Sequence, residues 1–235
     1  ESKENTIIDG NSIGNVIYVQ APDVRISGLT IRNSGKKRLD SGIRTLSLNS
    51  NFTVKNCIVK DNDVGIYLNC MDFERYTGSY NKVVNNIIKE NDIGIFTIWV
   101  HNNEIRDNII SDNNLHGMEM EATKFSNIEN NLINKNKENG IYLHGASNEN
   151  NIIQNDFENN KIAVNLKEVK KIKIKNNNFI KNDNHATFDQ SKFNKWNRNY
   201  WDNWERIIPY PIKGKITNYG IPFYNFDWMP LKKPI

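Results

Sequence analysis

Short segments in which apolar and polar residues alternate recur along the chain at a nearly constant interval. They begin at Gly42, Gly65, Gly94, Gly117, Gly140 and Ala163, and successive starts are 23, 29, 23, 23 and 23 residues apart. Each segment is short and is bounded by Asn, Asp or Gly, which is typical of strands and not of helices. A fixed period of about 20 to 50 residues indicates a solenoid. A repeat of three short strands and three bends predicts one turn of a parallel β-helix.

Two further apolar positions of the repeat keep the same register. They lie eight and three residues before a recurring asparagine. The first set is Val54, Val83, Ile105, Ile128, Ile152 and Ile174, and the second is Val59, Ile88, Ile110, Ile133, Phe157 and Phe179. Such columns face inward, and each turn completes its core only against its neighbours. We therefore predict an all-β, right-handed parallel β-helix of about seven turns at a spacing of about 4.8 Å.

Asparagine is the compositional peculiarity of this chain, since it supplies 42 of the 235 residues. Asn-rich tracts can be disordered, but disorder does not keep apolar residues in a fixed register. The asparagines that recur once per turn are Asn62, Asn91, Asn113, Asn136, Asn160 and Asn182. We expect them at bends, in the left-handed backbone conformation, with their amides stacked in hydrogen-bonded ladders. Most of the asparagine content therefore predicts structure and not function.

Charge and cysteine content narrow the possible classes of function. The formal charge is +4, with both signs interspersed, which argues against nucleic acid as a partner. No segment approaches the roughly 18 apolar residues of a membrane span. Cys57 and Cys70 leave a disulfide open, and no metal-ligand spacing is present, so we predict no metal site and the sequence specifies no cofactor. The chain opens close to strand register without an evident cap, which suggests a processed chain or part of a longer protein.

Two irregularities interrupt the period. The turn that starts at Gly65 carries six extra residues within 69–80, and insertions in solenoids project as loops, often on the binding face. After about residue 190 the repeat gives way to a tail rich in aromatic residues and proline. We predict a β-helix over 1–190 and a terminal cap over 191–235, since an uncovered last turn would expose unpaired strand edges. The capping tryptophans would be Trp196, Trp201, Trp204 and Trp228. An aromatic box that stacks on sugars is the alternative.

These features together resemble a known family. The Asn-rich turn with its Gly-Ile-Tyr-Leu strand is followed by Trp-Asn-Arg-Asn-Tyr-Trp-Asp at 196–202 and Asp-Trp-Met-Pro-Leu at 227–231. This combination resembles NosD-type right-handed parallel β-helix proteins, within the carbohydrate-binding and sugar-hydrolase group of pectin-lyase-like fold. The resemblance covers nearly the whole chain and implies an extracellular, cell-surface or periplasmic protein. For NosD itself it implies a role in copper delivery. No catalytic motif of pectate lyases, polygalacturonases or alginate epimerases is matched residue by residue.

Outward positions of the recurring strands provide the candidate site. Within each Gly-starting strand the third and fifth residues should face solvent. The third positions are Arg44, Tyr67, Phe96, Glu119, Tyr142 and Asn165, and the fifth are Leu46, Asn69, Ile98, Glu121, His144 and Lys167. Aromatic faces beside carboxylates suit a polysaccharide laid along the sheet. The candidate binding residues are Arg44, Tyr67, Phe96, Trp99, Tyr142 and Lys167. The alternative is a solvated sheet face whose aromatics only reflect β-propensity.

Catalysis is the second possibility on this face. Glu119 and Glu121 are two residues apart on one strand, so their Cα atoms should be ~6.6 Å apart, near the carboxylate separation of inverting glycosidases. Glu119 could then act as general acid and Glu121 as general base, with His144 tuning the pKa of Glu121. Three functions therefore stay open: a surface module that binds a polysaccharide or cell-surface glycan, which we favour; a hydrolase, lyase or epimerase acting on one; and a structural or copper-related surface module.

Overall fold

The computed structural model describes residues 2–37, 39–46, 51–70, 79–206, 208–216 and 222–235. Over these ranges the chain forms 27 β-strands and no helix, and it winds into a parallel β-solenoid of about 8 turns. The predicted all-β parallel β-helix is confirmed. Most of the predicted insertion, residues 71–78, lies outside the described residues.

In chain order the strands are β1 (Ile7–Asp9), β2 (Ile17–Val19), β3 (Arg25–Ser27), β4 (Thr30–Arg32), β5 (Ser41–Leu46), β6 (Thr53–Lys55), β7 (Ile58–Lys60), β8 (Val64–Asn69), β9 (Lys82–Val84), β10 (Ile87–Lys89), β11 (Ile93–Ile98), β12 (Glu104–Arg106), β13 (Ile109–Ser111), β14 (His116–Glu121), β15 (Asn127–Glu129), β16 (Leu132–Asn134), β17 (Asn139–His144), β18 (Asn151–Ile153), β19 (Asp156–Glu158), β20 (Ile162–Lys167), β21 (Lys173–Lys175), β22 (Asn178–Ile180), β23 (Asn184–Asp189), β24 (Lys195–Asn197), β25 (Tyr200–Trp201), β26 (Tyr210–Lys215) and β27 (Pro222–Asp227).

Each turn contributes one strand to each of three parallel arrays. In the turn that starts with β5, the strands β5, β6 and β7 pair in parallel with β8, β9 and β10 of the next turn. One array is built from the six-residue strands β5, β8, β11, β14, β17, β20 and β23. We call its outward surface the long-strand face. The other two arrays consist mainly of three-residue strands.

The core is formed by the columns that the sequence predicts. All twelve residues of the two apolar columns, from Val54 to Ile174 and from Val59 to Phe179, are 0 % exposed. They pair with their counterparts in successive turns, as in Ile105 opposite Ile128. Full burial of one such aliphatic side chain contributes roughly 1.5–3 kcal/mol. The stacked columns therefore supply the main stabilisation of the rod.

Buried asparagine ladders connect the turns, as predicted. In the first ladder the side-chain Nδ2 of each asparagine donates to the Oδ1 of the next, at 2.8–3.2 Å, through Asn62, Asn91, Asn113, Asn136, Asn160 and Asn182. A second ladder joins Asn86, Asn108, Asn131, Asn155, Asn177 and Asn199 at 2.9–3.1 Å. In both ladders the side-chain amides also bond to backbone groups at the bends, which have no partner in a strand ladder.

Asparagines adopt the predicted left-handed backbone conformation at the bends before the second ladder, as at Asn85, Asn130 and Asn176, but in the first ladder this conformation belongs to a different residue. The positive φ angles fall on the residue before each asparagine of the first ladder, such as Asp61 (φ 57°), Asp112 (φ 56°) and Lys135 (φ 54°). The expectation that the recurring asparagines adopt this conformation is therefore wrong. The ladder position requires an amide that both donates and accepts, whereas the preceding bend residue only points its side chain toward solvent. This explains why acidic, basic and amide side chains all occur at the bend.

The tail folds against the last turn. Strands β26 and β27 pair antiparallel and join the parallel array through β23 and β24. Trp201 stacks on Phe179 at 4.2 Å and on Tyr210 at 4.0 Å between ring centroids, so the inner aromatic column continues into the hairpin. Trp196 is also buried. Trp228 is 69 % exposed and its ring lies 5.4 Å from that of Phe226, so its capping role stays a prediction.

The structure also describes the two cysteines and any helix that could cross a membrane. Cys57 and Cys70 are buried and no disulfide joins them. No helix in the described ranges has the length and hydropathy needed to cross a membrane.

Candidate functional site

The register of the long strands places the predicted outward columns in line. Arg44 lies opposite Tyr67, Tyr67 opposite Phe96, and Phe96 opposite Glu119, which in turn lies opposite Tyr142. The fifth positions align in the same way through Asn69, Ile98, Glu121 and His144. The predicted alignment of the third and fifth positions into two columns is thus confirmed. The side chains of these columns differ along the face.

The part of the long-strand face around Tyr67 and Phe96 is closed to solvent. The guanidinium carbon of Arg44 lies 4.9 Å from the ring centroid of Tyr67, and the rings of Tyr67 and Phe96 stack at 5.0 Å. Tyr67 and Phe96 are only 4 % and 6 % exposed, and they form a second hydrophobic cluster with Val64 and Ile98. The expectation that these two rings form an open binding platform is therefore wrong. Burial also raises the pKa of the Tyr67 hydroxyl.

The central part of the face carries polar groups in contact. The Nε2 atom of His144 lies 3.0 Å from Oε1 of Glu119, and the imidazole stacks on the ring of Tyr142 at 4.6 Å and 22°. The sequence predicted Glu121 as the partner of His144, because the two are directly opposite in register. That pairing is wrong, since stacking on Tyr142 turns the imidazole back along the strand toward Glu119.

His116 adds a second imidazole to this region and had no role in the sequence prediction. Its ring centroid lies 5.5 Å from that of Tyr142, and its Nδ1 lies 3.1 Å from Nδ2 of Asn139. Burial lowers the pKa of His116, and the nearby Glu119 offsets part of that effect. A neutral ring that accepts from Asn139 at Nδ1 carries its proton on Nε2. The position of His116 in the repeat could have indicated its role, because it starts β14 directly opposite Asn139.

Tyr142 therefore lies between two imidazoles and beside a carboxylate. We call Glu119, Tyr142, His144 and His116 the central cluster. Burial, and next the charge of Glu119, raise the pKa of the Tyr142 hydroxyl, so it stays a hydrogen-bond donor at neutral pH. The side chains of Glu119 and His144 are 19 % and 20 % exposed. The cluster can thus contact a ligand while its own geometry is fixed by mutual contacts.

The remaining predicted residues lie at different distances from the central cluster. Trp99, which follows β11, is 38 % exposed, and its backbone N–H donates to the carbonyl of Glu121 at 3.3 Å. Lys167 is exposed at the end of β20, one residue beyond a pair of leucines in register across β17 and β20. Both can border a ligand on the cluster. Arg44 lies three strands from Glu119, or about 14 Å at the usual strand spacing, and is not part of the cluster.

No group of three or more His, Cys, Asp or Glu side chains in the described ranges is arranged to hold a metal ion. Cys57 and Cys70 are buried, and so are Met118 and Met120. The central cluster itself offers hydrogen-bonding groups and stacked rings.

Comparison with known proteins extends the assignment of the fold. A search of curated proteins finds no match to this chain. A solved structure described as XylC in complex with xylose superposes with a TM-score of 0.50 at 11 % sequence identity. The match covers 92 % of this chain but 42 % of that chain. At such low identity the likeness concerns the fold alone.

A family model also matches most of the sequence. The family described as NosD, periplasmic copper-binding protein, matches residues 1–214. The matched region includes every turn of the β-helix, the three parallel arrays and most of β26. The chain therefore belongs to the NosD family of β-helix proteins.

Proposed function

We propose that the protein is a β-helix module that binds a glycan on the long-strand face, centred on Tyr142. One observation carries this proposal: the imidazole of His144 stacks on Tyr142 and is held by Glu119 at 3.0 Å. The edges and outer faces of the two stacked rings offer apolar surface, and the adjoining carboxylate and the tyrosine hydroxyl can bond to hydroxyl groups of a sugar. Apolar surface with a few placed polar groups is the usual composition of a saccharide or small-molecule site.

The comparisons support a location for this protein and suggest which sugars to test first. The family is described as periplasmic, which supports an extracellular or periplasmic place for this chain, where polysaccharides are accessible. The XylC structure contains xylose, and xylo-oligosaccharides therefore belong among the first probes.

A copper-related role has less support from the residues present. The family description names copper, yet the described residues hold no suitable group of three ligands. The central cluster offers two imidazoles, but His144 is already bonded to Glu119 and His116 to Asn139. These residues do not fit a copper site, and we derive no copper chemistry from them.

A second candidate function, glycan cleavage or modification, is favoured by one contact. An imidazole held by a carboxylate, as in His144 and Glu119, is an arrangement that orients a general base. In this reading His144 takes a proton from the sugar or from water, and Glu119 orients the ring. Glu121, directly opposite His144 in register, would be the second carboxylate. Release of reducing or unsaturated ends would identify this activity.

The test compares variants of one column of the long-strand face. Tyr142→Ala removes the central ring, and Thr187→Ala changes an outward residue two strands further along the same column. In a glycan-array screen followed by titration, Tyr142→Ala should weaken binding about five- to thirtyfold, and Thr187→Ala should not. Unchanged binding by Tyr142→Ala would contradict the proposal. If products accumulate and Glu119→Gln abolishes them, the protein is an enzyme.

A further inference from the structure

The surface charges of one array change toward the C-terminal end of the rod. This array runs from β3 through every third strand to β24, and β27 joins it beyond β24. In its middle turns opposite charges are paired. Glu104 on β12 lies 3.2 Å from Lys82 of the previous turn and also bonds to Arg106 on its own strand. At the bends before β18 and β21, Glu149 lies 3.5 Å from Lys171. These turns therefore present a surface whose charges are balanced.

The last strands of the array carry lysines without acidic partners. Lys173 and Lys175 on β21 and Lys195 on β24 are exposed, and none of them forms an ion pair within the described ranges. Lys173 lies directly opposite Lys195, and like charges in such positions are destabilising. Of the residues described in β21, β24 and β27, Asp227 alone is acidic, and it is 0 % exposed. These lysines thus lower the stability of the protein, which suggests that they serve an external partner.

A phenylalanine projects into solvent beside these lysines. Phe193 lies at the bend before β24, is 75 % exposed and borders a groove with Lys173 and Lys195. Glu149 also borders that groove, but its carboxylate lies close to the ammonium group of Lys171. The φ angle of Phe193 is 59°, a left-handed value that is uncommon for a bulky residue. An apolar ring therefore occupies a bend position where the previous turn has the polar Lys171.

More exposed apolar side chains lie on the other side of Lys195. Phe226, Trp228 and Met229 line a hollow that Lys195 also borders, and the rings of Phe226 and Trp228 are 5.4 Å apart. Trp228 and Met229 are 69 % and 57 % exposed. Grouped apolar side chains exposed to solvent usually mark an interaction surface. We call the outward side of β21, β24 and β27, together with Phe193, Trp228 and Met229, the basic face.

The combination of unpaired lysines and exposed rings narrows the class of partner. A small soluble anion would pair with the ammonium groups but would leave the apolar rings in water. A second copy of the chain would bring the same positive charges together without carboxylates to pair them. The surface of an anionic bilayer provides both complements, because lipid phosphates attract lysines and the interfacial region takes up aromatic rings.

We propose that the basic face binds the surface of an anionic membrane without crossing it. Lys173, Lys175 and Lys195 pair with lipid phosphates, while Phe193 and Trp228 enter the headgroup region. This inference goes beyond the proposed function, because it assigns a partner of another class to another side of the rod. The long-strand face belongs to a different array, so membrane binding and glycan binding can be tested separately.

The test is sedimentation of the whole chain with lipid vesicles. One kind of vesicle is pure phosphatidylcholine, and the other contains about 30 mol % phosphatidylglycerol, which supplies negative charge. Lys173→Glu combined with Lys195→Glu reverses two charges of the basic face. Lys135→Glu combined with Lys181→Glu is the matched control, because it changes the net charge equally. Both control lysines are exposed and lie at the bends after β16 and β22, away from the basic face.

Two further variants separate the apolar contribution from that of charge. Phe193→Ser removes an exposed ring of the basic face. Leu115→Ser is its control, since it removes a 44 % exposed side chain at the bend before β14. Soluble polyglutamate is added as a competitor, because it offers carboxylates without an apolar interface. Circular dichroism and thermal melting establish that each variant is folded.

We expect the wild-type chain to sediment with the anionic vesicles and not with phosphatidylcholine alone. Raising NaCl from about 0.1 M to about 0.5 M should weaken binding at least about fivefold. The variant with both basic-face lysines reversed should bind at least about tenfold more weakly, and Phe193→Ser about threefold more weakly. Both controls should bind like the wild type, and polyglutamate should leave most of the protein on the vesicles.

The proposal is overturned if the wild-type chain does not sediment with anionic vesicles. It is also overturned if reversal of the two control lysines reduces binding as much as reversal of Lys173 and Lys195. Full binding by Phe193→Ser together with displacement by polyglutamate would contradict a membrane partner as well, and would instead identify the basic face as a docking surface for an acidic protein.

Discussion

Asp227 ends the ladder that runs through Asn199. Its Oδ2 accepts the backbone N–H and the side-chain Nδ2 of Asn199, both at 2.9 Å, and the indole N–H of Trp201 at 3.2 Å. Its Oδ1 accepts the backbone N–H groups of Arg198 and Met229 at 3.0 and 3.2 Å. The carboxylate is 0 % exposed and so serves as a common acceptor for the last turn and the tail.

Removal of this acceptor should destabilise the rod strongly. We expect Asp227→Ala to lower the free energy of unfolding by about 3–5 kcal/mol, because it leaves several buried donors unpaired. Urea unfolding followed by circular dichroism measures the change. Asp227→Asn is the matched variant, since it keeps one acceptor oxygen at the same place and should lose less than Asp227→Ala. Equal stability of the alanine variant and the wild type would show that the tail does not depend on this residue.

An internal ladder asparagine should matter more than a surface one. Oδ1 of Asn131 accepts from the N–H and Nδ2 of Asn108, and its Nδ2 donates to the carbonyl of Ile105 and to Oδ1 of Asn155. Asn131→Ala should therefore cost about 3–4 kcal/mol of unfolding free energy. The exposed Asn127, four residues earlier, should tolerate alanine within about 0.5 kcal/mol. Similar losses from both changes in chemical denaturation would mean that the ladder adds no specific stability.

The second hydrophobic cluster, which contains Tyr67 and Phe96, should contribute to the stability of the protein and not to ligand binding. Phe96 is 6 % exposed and stacks on Tyr67 at 5.0 Å. Phe96→Ala should lower the unfolding free energy by roughly 3 kcal/mol, as expected for truncation of a buried ring. Tyr142→Ala, on the more open part of the same column, should cost at most about 1 kcal/mol. The reverse order of the two effects would contradict the closed state of this part of the face.

The buried histidines predict loss of stability in weak acid. His185 is 3 % exposed and bonds to Asp202 at 2.8 Å and to Asn182 at 3.3 Å. Burial lowers the pKa of His185, only partly offset by Asp202, and burial also lowers the pKa values of His101 and His116. As pH falls, the unfolded chain is therefore the first to take up these protons, near its usual pKa of about 6.5.

The stability from these groups is complete above about pH 6.5 and is lost as pH falls through the lower pKa values of the folded state. Thermal melting between about pH 7.5 and pH 5.5 should therefore show a decreasing midpoint, before most carboxylates titrate. His185→Phe, which can pack beside Phe179 and Trp201, should make the dependence shallower. A wild-type midpoint that rises toward pH 5.5 would be inconsistent with neutral buried imidazoles.

The fold could be predicted from the sequence because the same pattern of apolar residues recurs in successive turns. A single Ile105 says little, but Ile105, Ile128 and Ile152 at one register position exclude a helical reading, and all three are buried. The outward columns followed from the same register, since alternation along a strand is set by backbone geometry. Strand pairing and side-chain direction are thus periodic properties of this chain.

The composition of the candidate site was less predictable, because it depends on contacts between neighbouring side chains. The register placed His144 opposite Glu121, but the ring contact with Tyr142 directs it to Glu119. Burial of Phe96 on an outward position likewise depends on its neighbours. Asp227 occurs once, beyond the last repeat, so no periodic signal identified it as a ladder residue.

The asparagine ladders also have a direction. In each of them Nδ2 donates toward the next turn and Oδ1 accepts from the previous one, so the side-chain amide dipoles add along the axis of the rod. The end of such a row near the C-terminus carries partial positive charge, by the same reasoning as for aligned peptide dipoles in a helix. A group that only accepts hydrogen bonds and carries negative charge is its electrostatic complement, and Asp227 is such a group. Whole turns could be added or removed between Asn86 and Asn199 without altering this termination, which makes rod length an independent variable in this architecture.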